Sequence, residues 1–308
     1  MSADFKISVL IVTKNRPQIL RKCLKSIRDQ ILLPSQIVVI DNGDDRETKE
    51  TINDFTKTSQ IKVDYFQEKR QGEAFARNMA LRKAVNEILV FIDDDCIANK
   101  NWLKTIVEHF QAYPDTEAIV GKSTNALPNN ICANVSQAYY VRWLMESITN
   151  FNQTQRLQVD SNFFDTKNLV LRKKFIKKFS FDSDILFHSI NVDFLAGQKL
   201  IKKGQIYFNP QLRVFHRNPH TLGLLLKRNF IQGIADQHLV SKKGIQLHRE
   251  DYKKHYFMWL KVMWLKACQK ETKRLSFSQK ILFWPLLFFY PVPYKLGRLV
   301  YKIGLWNV

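Results

Sequence analysis

Acidic residues are scarce in this chain: 28 Asp and Glu stand against 48 Lys and Arg, a formal net charge of +20 over 308 residues. That imbalance implies an anionic partner, whether nucleic acid, a phosphorylated substrate or an acidic lipid surface. Cysteine is scarce too. Cys23, Cys96, Cys132 and Cys268 lie far apart, with no C-x-x-C pair and no histidine at zinc-finger spacing, which excludes a disulfide framework and a zinc module and fits a reduced, cytoplasmic protein. With 10 Gly and 9 Pro against 45% hydrophobic and 12% aromatic residues, low-complexity and disordered readings are excluded. No apolar run reaches the roughly 18 to 20 residues of a membrane-spanning helix. Met1–Lys6 leads directly into a strand pattern without an apolar h-region, so no signal peptide is expected.

What is present is an alternating rhythm in the first third, an apolar β-branched run followed by a polar turn and a helical stretch, which predicts parallel strands joined by crossover helices. Strands are expected at Ile7–Thr13, Ile37–Ile40, Ile61–Phe66 and Ile88–Ile92. Pro17 suits the first turn of a helix carrying Ile19, Leu20, Cys23, Leu24 and Ile27 at helical spacing. A second helix follows Gly72, with Ala76, Ala80 and Ala84 stacked so that it can lie close to the sheet. Open α/β sheets bind ligands beyond the carboxyl ends of their strands, so Thr13, Asp41 and the Asp93 cluster should share one crevice.

From about residue 125 the rhythm loosens, and after about residue 240 the composition changes. Tyr256–Leu265 is apolar apart from Lys261, Ile281–Pro293 carries no charge, and Lys270, Lys273, Arg274 and Lys280 lie between them. Pro285, Pro291 and Pro293 interrupt the second run. Aromatic residues beside Lys and Arg predict helices lying in the plane of a membrane surface; packing of the same runs on the catalytic domain is the alternative. The expected organisation is a catalytic domain over residues 1–240, divided near residue 125 into nucleotide-binding and acceptor halves, and a C-terminal helical appendage over 241–308.

Asp93-Asp94-Asp95 closes the fourth strand. Three adjacent carboxylates repel one another unless a cation lies among them. Mg²⁺ or Mn²⁺, held by one or two carboxylates and by substrate phosphates, would bring a diphosphate to this strand end.

The runs Val9-Leu-Ile-Val-Thr-Lys-Asn-Arg16, Val38-Val-Ile-Asp-Asn-Gly-Asp44, Gly72-Glu-Ala-Phe-Ala-Arg-Asn78 and Val90-Phe-Ile-Asp-Asp-Asp95 occur in the order and approximate spacing of the family 2 glycosyltransferases, which the chain therefore resembles. Asn168-Leu-Val-Leu-Arg172 and the stretch from Asn191 to Gly204 extend the resemblance, which covers roughly residues 6 to 235. It implies the GT-A fold, a Rossmann-like mixed sheet flanked by helices, and inverting transfer of a sugar from a nucleotide-diphosphate donor, usually a UDP-sugar, to an acceptor hydroxyl.

Residue by residue, the resemblance puts Thr13 and Arg16 along the nucleotide, gives Asp41 a hydrogen bond from the base, and makes Arg77 a nucleotide contact. Asp93 and Asp95 match the outer carboxylates of the D-x-D motif, with Asp95 the preferred metal ligand and Asp94 beside the donor. The general base required by an inverting transfer is Asp193, which stands at the family's distance before Gly204, although Val192 occupies the usual Glu position. His216 is a candidate further metal or phosphate contact, Lys227 and Arg228 are candidate diphosphate contacts, and Asn168 and Arg172 face the acceptor. The expected setting is the cytoplasmic side of a bacterial inner membrane, peripherally bound, in cell-surface polysaccharide or lipopolysaccharide assembly with a glycan or lipid-linked acceptor.

Two rival classes fit less well. A nucleotidyltransferase would carry a Gly-rich basic loop after the first strand, where Lys14-Asn15-Arg16-Pro17 has no glycine. A non-catalytic nucleic-acid- or membrane-binding protein would explain the charge, but no RNP-like, helix-turn-helix or zinc pattern is present.

Overall fold

The computed structural model describes residues 5–148, 150, 152–157, 164–177, 179–184, 191–244 and 268–305. The predicted strand rhythm is realised as β1 (Ile7–Thr13), β2 (Gln36–Asp41), β3 (Val63–Gln67) and β4 (Ile88–Ile92), all parallel where they pair. β2 and β4 are buried along their whole length, as continuous apolar runs covered on both faces must be. β3 starts at Val63, later than Ile61, because the Ile61 N–H is taken by Ser59 Oγ in a local turn.

The sheet continues through β5 (Cys96–Ala98), β6 (Ala118–Asn125), β7 (Gln155–Arg156), β8 (Asn168–Arg172) and β9 (Ile206–His216) in the order β3-β2-β1-β4-β8-β6-β9-β5, with β7 on β9. β8 runs antiparallel to β4, and β5 antiparallel to β9. Helices α1 (Pro17–Arg28), α2 (Arg46–Thr58), α3 (Glu73–Lys83) and α4 (Trp102–Ala112) follow the strands of the first third. Pro17 opens α1, which buries Leu20, Cys23, Leu24 and Ile27. Ala74, Ala76 and Ala80 are fully buried on α3, small enough to let its backbone approach the sheet. The glycine at its N-cap is required by conformation: Gly72 has φ +133°, and its N–H reaches Asn42 Oδ1.

Two compact units emerge. The first comprises residues 1–124, 150–184 and 192–216; the second comprises 125–149, 185–191 and 217–308. This grouping is not the division expected at residue 240. α5 (Ile131–Ser147) and α7 (Leu222–Lys243) belong with the C-terminal helices α8 (Phe277–Phe289) and α9 (Pro291–Lys302), because Cys132, Val135, Ala138 and Leu225 share one apolar core with Phe283 and Leu287. α6 (Val192–Ile201) stays with the sheet unit. The apolar run Tyr256–Leu265 lies outside the described residues.

Candidate active site

Strand register assembles the site. Thr13 pairs with Asp41 across β1 and β2, so both reach the same sheet edge. The Asp93–Asp95 turn follows β4, with the Cys96 N–H bonded to the Asp93 carbonyl. Cys96 then pairs with His216 on β9, which sets His216 Nε2 at 3.4 Å from Asp95 Oδ1. A histidine remote in sequence becomes the neighbour of the acidic turn because of a three-residue strand.

The three aspartates have different surroundings. Asp94 is fully buried: Thr13 Oγ1 donates to its Oδ2 at 2.7 Å, and Arg16 Nη2 lies 2.7 Å from its Oδ1 without hydrogen-bond alignment. Burial pushes its carboxyl up to about 7 against the pull of Arg16, and the Asp95 charge adds to the rise. Asp94 thus ties the end of β1 to the acidic turn. Asp93 and Asp95 keep partial exposure. Burial raises the Asp93 carboxyl well above the carboxylate range despite Arg77, with Glu73 and Asp95 adding to the rise. Arg16, its side chain 42% exposed, also lies 3.4 Å from Asp95.

These groups fit a divalent cation in part. Asp95 is partly accessible and the buried His216 lies next to it, and carboxylate with imidazole is a reasonable donor set for Mn²⁺. Among the described residues no cluster of three or more His, Cys, Asp or Glu forms a ready-made cage, so diphosphate oxygens and water would have to complete the shell, as they commonly do for Mg²⁺-type sites.

Arg77 faces inward. Only 3% exposed, its guanidinium lies 3.3–3.4 Å from Glu73, Asp93 and Asp193. Burial pulls its pKa down, and the charges of Glu73, Asp193 and Asp93 more than reverse this. This arginine, expected to contact the nucleotide, lies among three carboxylates and joins the acidic turn to Asp193. The Asp193 side chain remains 31% exposed, so it is reachable from solvent. Thr166 holds it twice, through Oγ1 to Oδ1 at 2.6 Å and through the backbone N–H to Oδ2 at 3.3 Å. On either side of Thr166, Lys167 Nζ is bonded at 2.6 Å to buried Asp165, which also accepts from Ser123.

Asp41 is 1% exposed, with Oδ1 accepting the Gly43 N–H in an Asx turn and Oδ2 accepting from Tyr65. Burial raises its carboxyl, and these two bonds oppose the rise. Beside it, Asn15 takes a left-handed φ of +51° and accepts the Asp44 and Asp45 N–H groups, locking the loop after β1 to the loop after β2.

The two residues expected on the acceptor side lie at opposite ends of β8. Asn168 is completely buried, bonded to the Trp102 indole and to the Leu212 and Lys122 carbonyls. Arg172 lies at the other end of β8, paired with Ile88 at the start of β4 while Asn168 pairs with Ile92. It binds Glu87 and the Thr116 and Pro114 carbonyls and covers the Phe110 ring. Both hold the sheet. Lys227 and Arg228 are exposed on α7 of the second unit. The residues that sequence reasoning passed over, Glu73 and Thr166, stand within or beside the quoted motifs, but nothing in their spacing marks them as partners of Arg77 and Asp193.

The family model described as glycosyl transferase family 2 matches residues 8–179. The chain belongs to this family and has the GT-A fold. The GalNAc(5)-diNAcBac-PP-undecaprenol beta-1,3-glucosyltransferase of Campylobacter jejuni is 31% identical over 105 residues, 33% of this chain and 34% of that protein. Among solved structures, the mannosyltransferase PcManGT from Pyrobaculum calidifontis in complex with GDP-Man and Mn²⁺ aligns with a TM-score of 0.62 at 17% identity, covering 96% of this chain and 87% of that one. S. aureus TarS 1-349 in complex with UDP-GlcNAc aligns at 0.54 and 15% identity, covering 97% and 92%. The chain spans about half or less of the length of the first curated relatives it matches.

Proposed function

We propose that the protein transfers a sugar, with inversion, from a nucleotide-diphosphate donor carried by UDP to a hydroxyl of a glycan or lipid-linked acceptor. The observation that carries this reading is the Arg77 bridge: one buried guanidinium joins Asp93 of the D-x-D turn to Asp193, so donor-side charge and a solvent-reachable carboxylate are held as one unit. UDP-GlcNAc bound to TarS and GDP-Man with Mn²⁺ bound to PcManGT support the donor class and the divalent metal. The undecaprenol-linked substrate of the Campylobacter relative supports a lipid-linked acceptor.

In this mechanism Asp95 and His216, with Asp93 beside them, would help to hold Mn²⁺ or Mg²⁺ together with diphosphate oxygens, and the ion would supply positive charge to the departing diphosphate. Arg16 reaches the phosphates from the loop after β1, Thr13 shapes the floor through Asp94, and Asp41 turns toward the base. Asp193 takes the acceptor hydroxyl's proton as that oxygen bonds to the anomeric carbon and the bond to the diphosphate oxygen breaks. Oδ1 of Asp193 already accepts from Thr166 Oγ1 and Arg77, whereas among the described residues Oδ2 accepts only the longer Thr166 N–H, so Oδ2 is the atom left to meet the acceptor hydroxyl. Bases of this kind contribute about 10² to 10⁴ in rate.

We place the work on the cytoplasmic face of a bacterial inner membrane, in cell-surface polysaccharide assembly, with the C-terminal region attached peripherally. No described helix is long and apolar enough to cross a membrane. Binding of a nucleotide-sugar panel, with and without Mn²⁺, to the wild type and Asp95→Asn tests the donor site. Metal-dependent binding of a UDP-sugar, lost in the variant, is expected. A preference for GDP-sugars would change the carrier, and no binding by any nucleotide sugar would overturn the donor assignment.

A further inference from the structure

Helices α8 and α9 are joined by Tyr290 in helical conformation, φ −50° and ψ −40°, so their side chains continue one helical pattern. Phe283, Leu287, Tyr290, Tyr294, Gly297 and Tyr301 recur at steps of three and four and form the inner row. Phe283 and Leu287 are buried in the apolar core, and Tyr290 stacks on Tyr139 with ring centroids 4.1 Å apart. Tyr294 donates to buried Asp236, and Tyr301 meets His238 at 3.0 Å. A Cβ on Gly297 would come within 2.1 Å of the Phe230 carbonyl, so α9 lies backbone-close on α7. This face is fully engaged within the second unit.

The opposite row, Ile281, Phe288, Val292, Leu296, Leu299 and Ile303, recurs at steps of seven, four, four, three and four and is bare: each of these side chains is at least 51% exposed. Isolated exposed apolar residues are ordinary, but a continuous stripe along two helices is not. The charge beside it has one sign. From Thr272 to Val308 the chain carries no Asp or Glu, while Lys273, Arg274, Lys280, Lys295, Arg298 and Lys302 are all basic. Lys295 and Lys302 are exposed and lie along one flank of the stripe.

We propose that this stripe docks in the plane of an anionic phospholipid surface, Phe288, Val292, Leu296 and Leu299 entering the boundary between headgroups and acyl chains while Lys295 and Lys302 meet lipid phosphates. The proposal rests on the peripheral-membrane reading above and specifies its face and lipid class. An apolar stripe flanked by cations suits that occupant; nucleic acid would leave the apolar row uncovered, and a second copy would bring the same positive charges together. Because the inner row is already packed on protein, the helices have one face to offer, which fits lying in the interface and not crossing it.

The test is co-flotation of the full chain with vesicles of pure phosphatidylcholine and of phosphatidylcholine with phosphatidylglycerol. The wild type floats with the anionic vesicles and releases as salt rises. Phe288→Glu/Leu296→Glu lowers the bound fraction by roughly tenfold or more, and Lys295→Ala/Lys302→Ala lowers it severalfold; the latter pair touches only exposed cations and guards against misfolding as the cause. Equal flotation of wild type and both variants, or none by the wild type, overturns the proposal. So does a wild-type dimer in light scattering that the glutamate variant converts to monomer, since a second copy would then be the occupant. Donor binding measured on the same preparations separates the outcomes: lost flotation with intact nucleotide-sugar binding removes the docking stripe alone, and lost donor binding removes the catalytic reading.

Discussion

Thr166 Oγ1 donates to Asp193 Oδ1 at 2.6 Å, and the same residue's N–H reaches Oδ2 at 3.3 Å. A threonine on the loop before β8 thereby sets the plane of the carboxylate that begins α6. A base must be aimed as well as basic, and small misplacements of reacting groups are costly.

Removing the Thr166 hydroxyl while keeping its shape should therefore slow transfer without touching donor affinity. For Thr166→Val we expect kcat to fall by about 10- to 100-fold at unchanged donor Kd, with Thr166→Ser restoring most of the rate. Asp193→Asn should slow transfer by about 10²- to 10⁴-fold and leave donor binding intact. A fall in donor affinity matching the fall in kcat for Thr166→Val would argue for general disruption of the site in place of positioning.

Arg77 supplies the buried positive charge that Glu73, Asp93 and Asp193 share. Arg77→Met leaves these carboxylates facing one another, and breaking a buried pair in this way costs about 3–5 kcal/mol. Thermal melting should report a large drop in Tm together with loss of transfer. Arg77→Lys retains the charge but lacks the fork that reaches three partners, so it should recover stability in part and activity poorly. A melting curve for Arg77→Met that overlays the wild type would refute the bridge.

His109 offers a pH test remote from catalysis. It is buried between Thr116 and Asn209: the Asn209 amide donates to Nδ1, which makes Nε2 the protonated nitrogen facing Thr116 Oγ1. Burial lowers its pKa from 6.5 to about 4, against the raising influence of Asp115. Between those values the unfolded chain binds a proton that the folded chain refuses, so stability is complete above pH 6.5 and declines as pH falls toward 4. The loss should approach about 3 kcal/mol at the low end. On going from pH 7.5 to 5, urea melts should show a less favourable change in stability for the wild type than for His109→Gln, the difference between the two being the contribution of this histidine.

Much of the architecture was legible in the sequence because its determinants are local. The strand rhythm, the Pro17 start of α1 and the alanine face of α3 are written in consecutive residues, and the strand ends Thr13, Asp41 and Asp93 follow from the parallel register. The short-range signal also has limits. Asn168 and Arg172 sit in a recognisable motif, yet β8 runs antiparallel to β4, burying the first in hydrogen bonds and sending the second to the far end of the strand. No spacing rule reveals that direction.

The sequence by itself determined the family, the sheet and the acidic turn, since hydrophobic period and motif order are properties of neighbours along the chain. Tertiary structure decided which charges meet. Only folding brings His216 to Asp95 through the β5–β9 register, turns Arg77 away from solvent into three carboxylates, and places Thr166 against Asp193. It also divided α8 and α9 into a packed face and a bare one. Ion pairs and side-chain hydrogen bonds act within a few ångströms in space whatever the distance along the chain, so their partners are settled where the chain returns to itself.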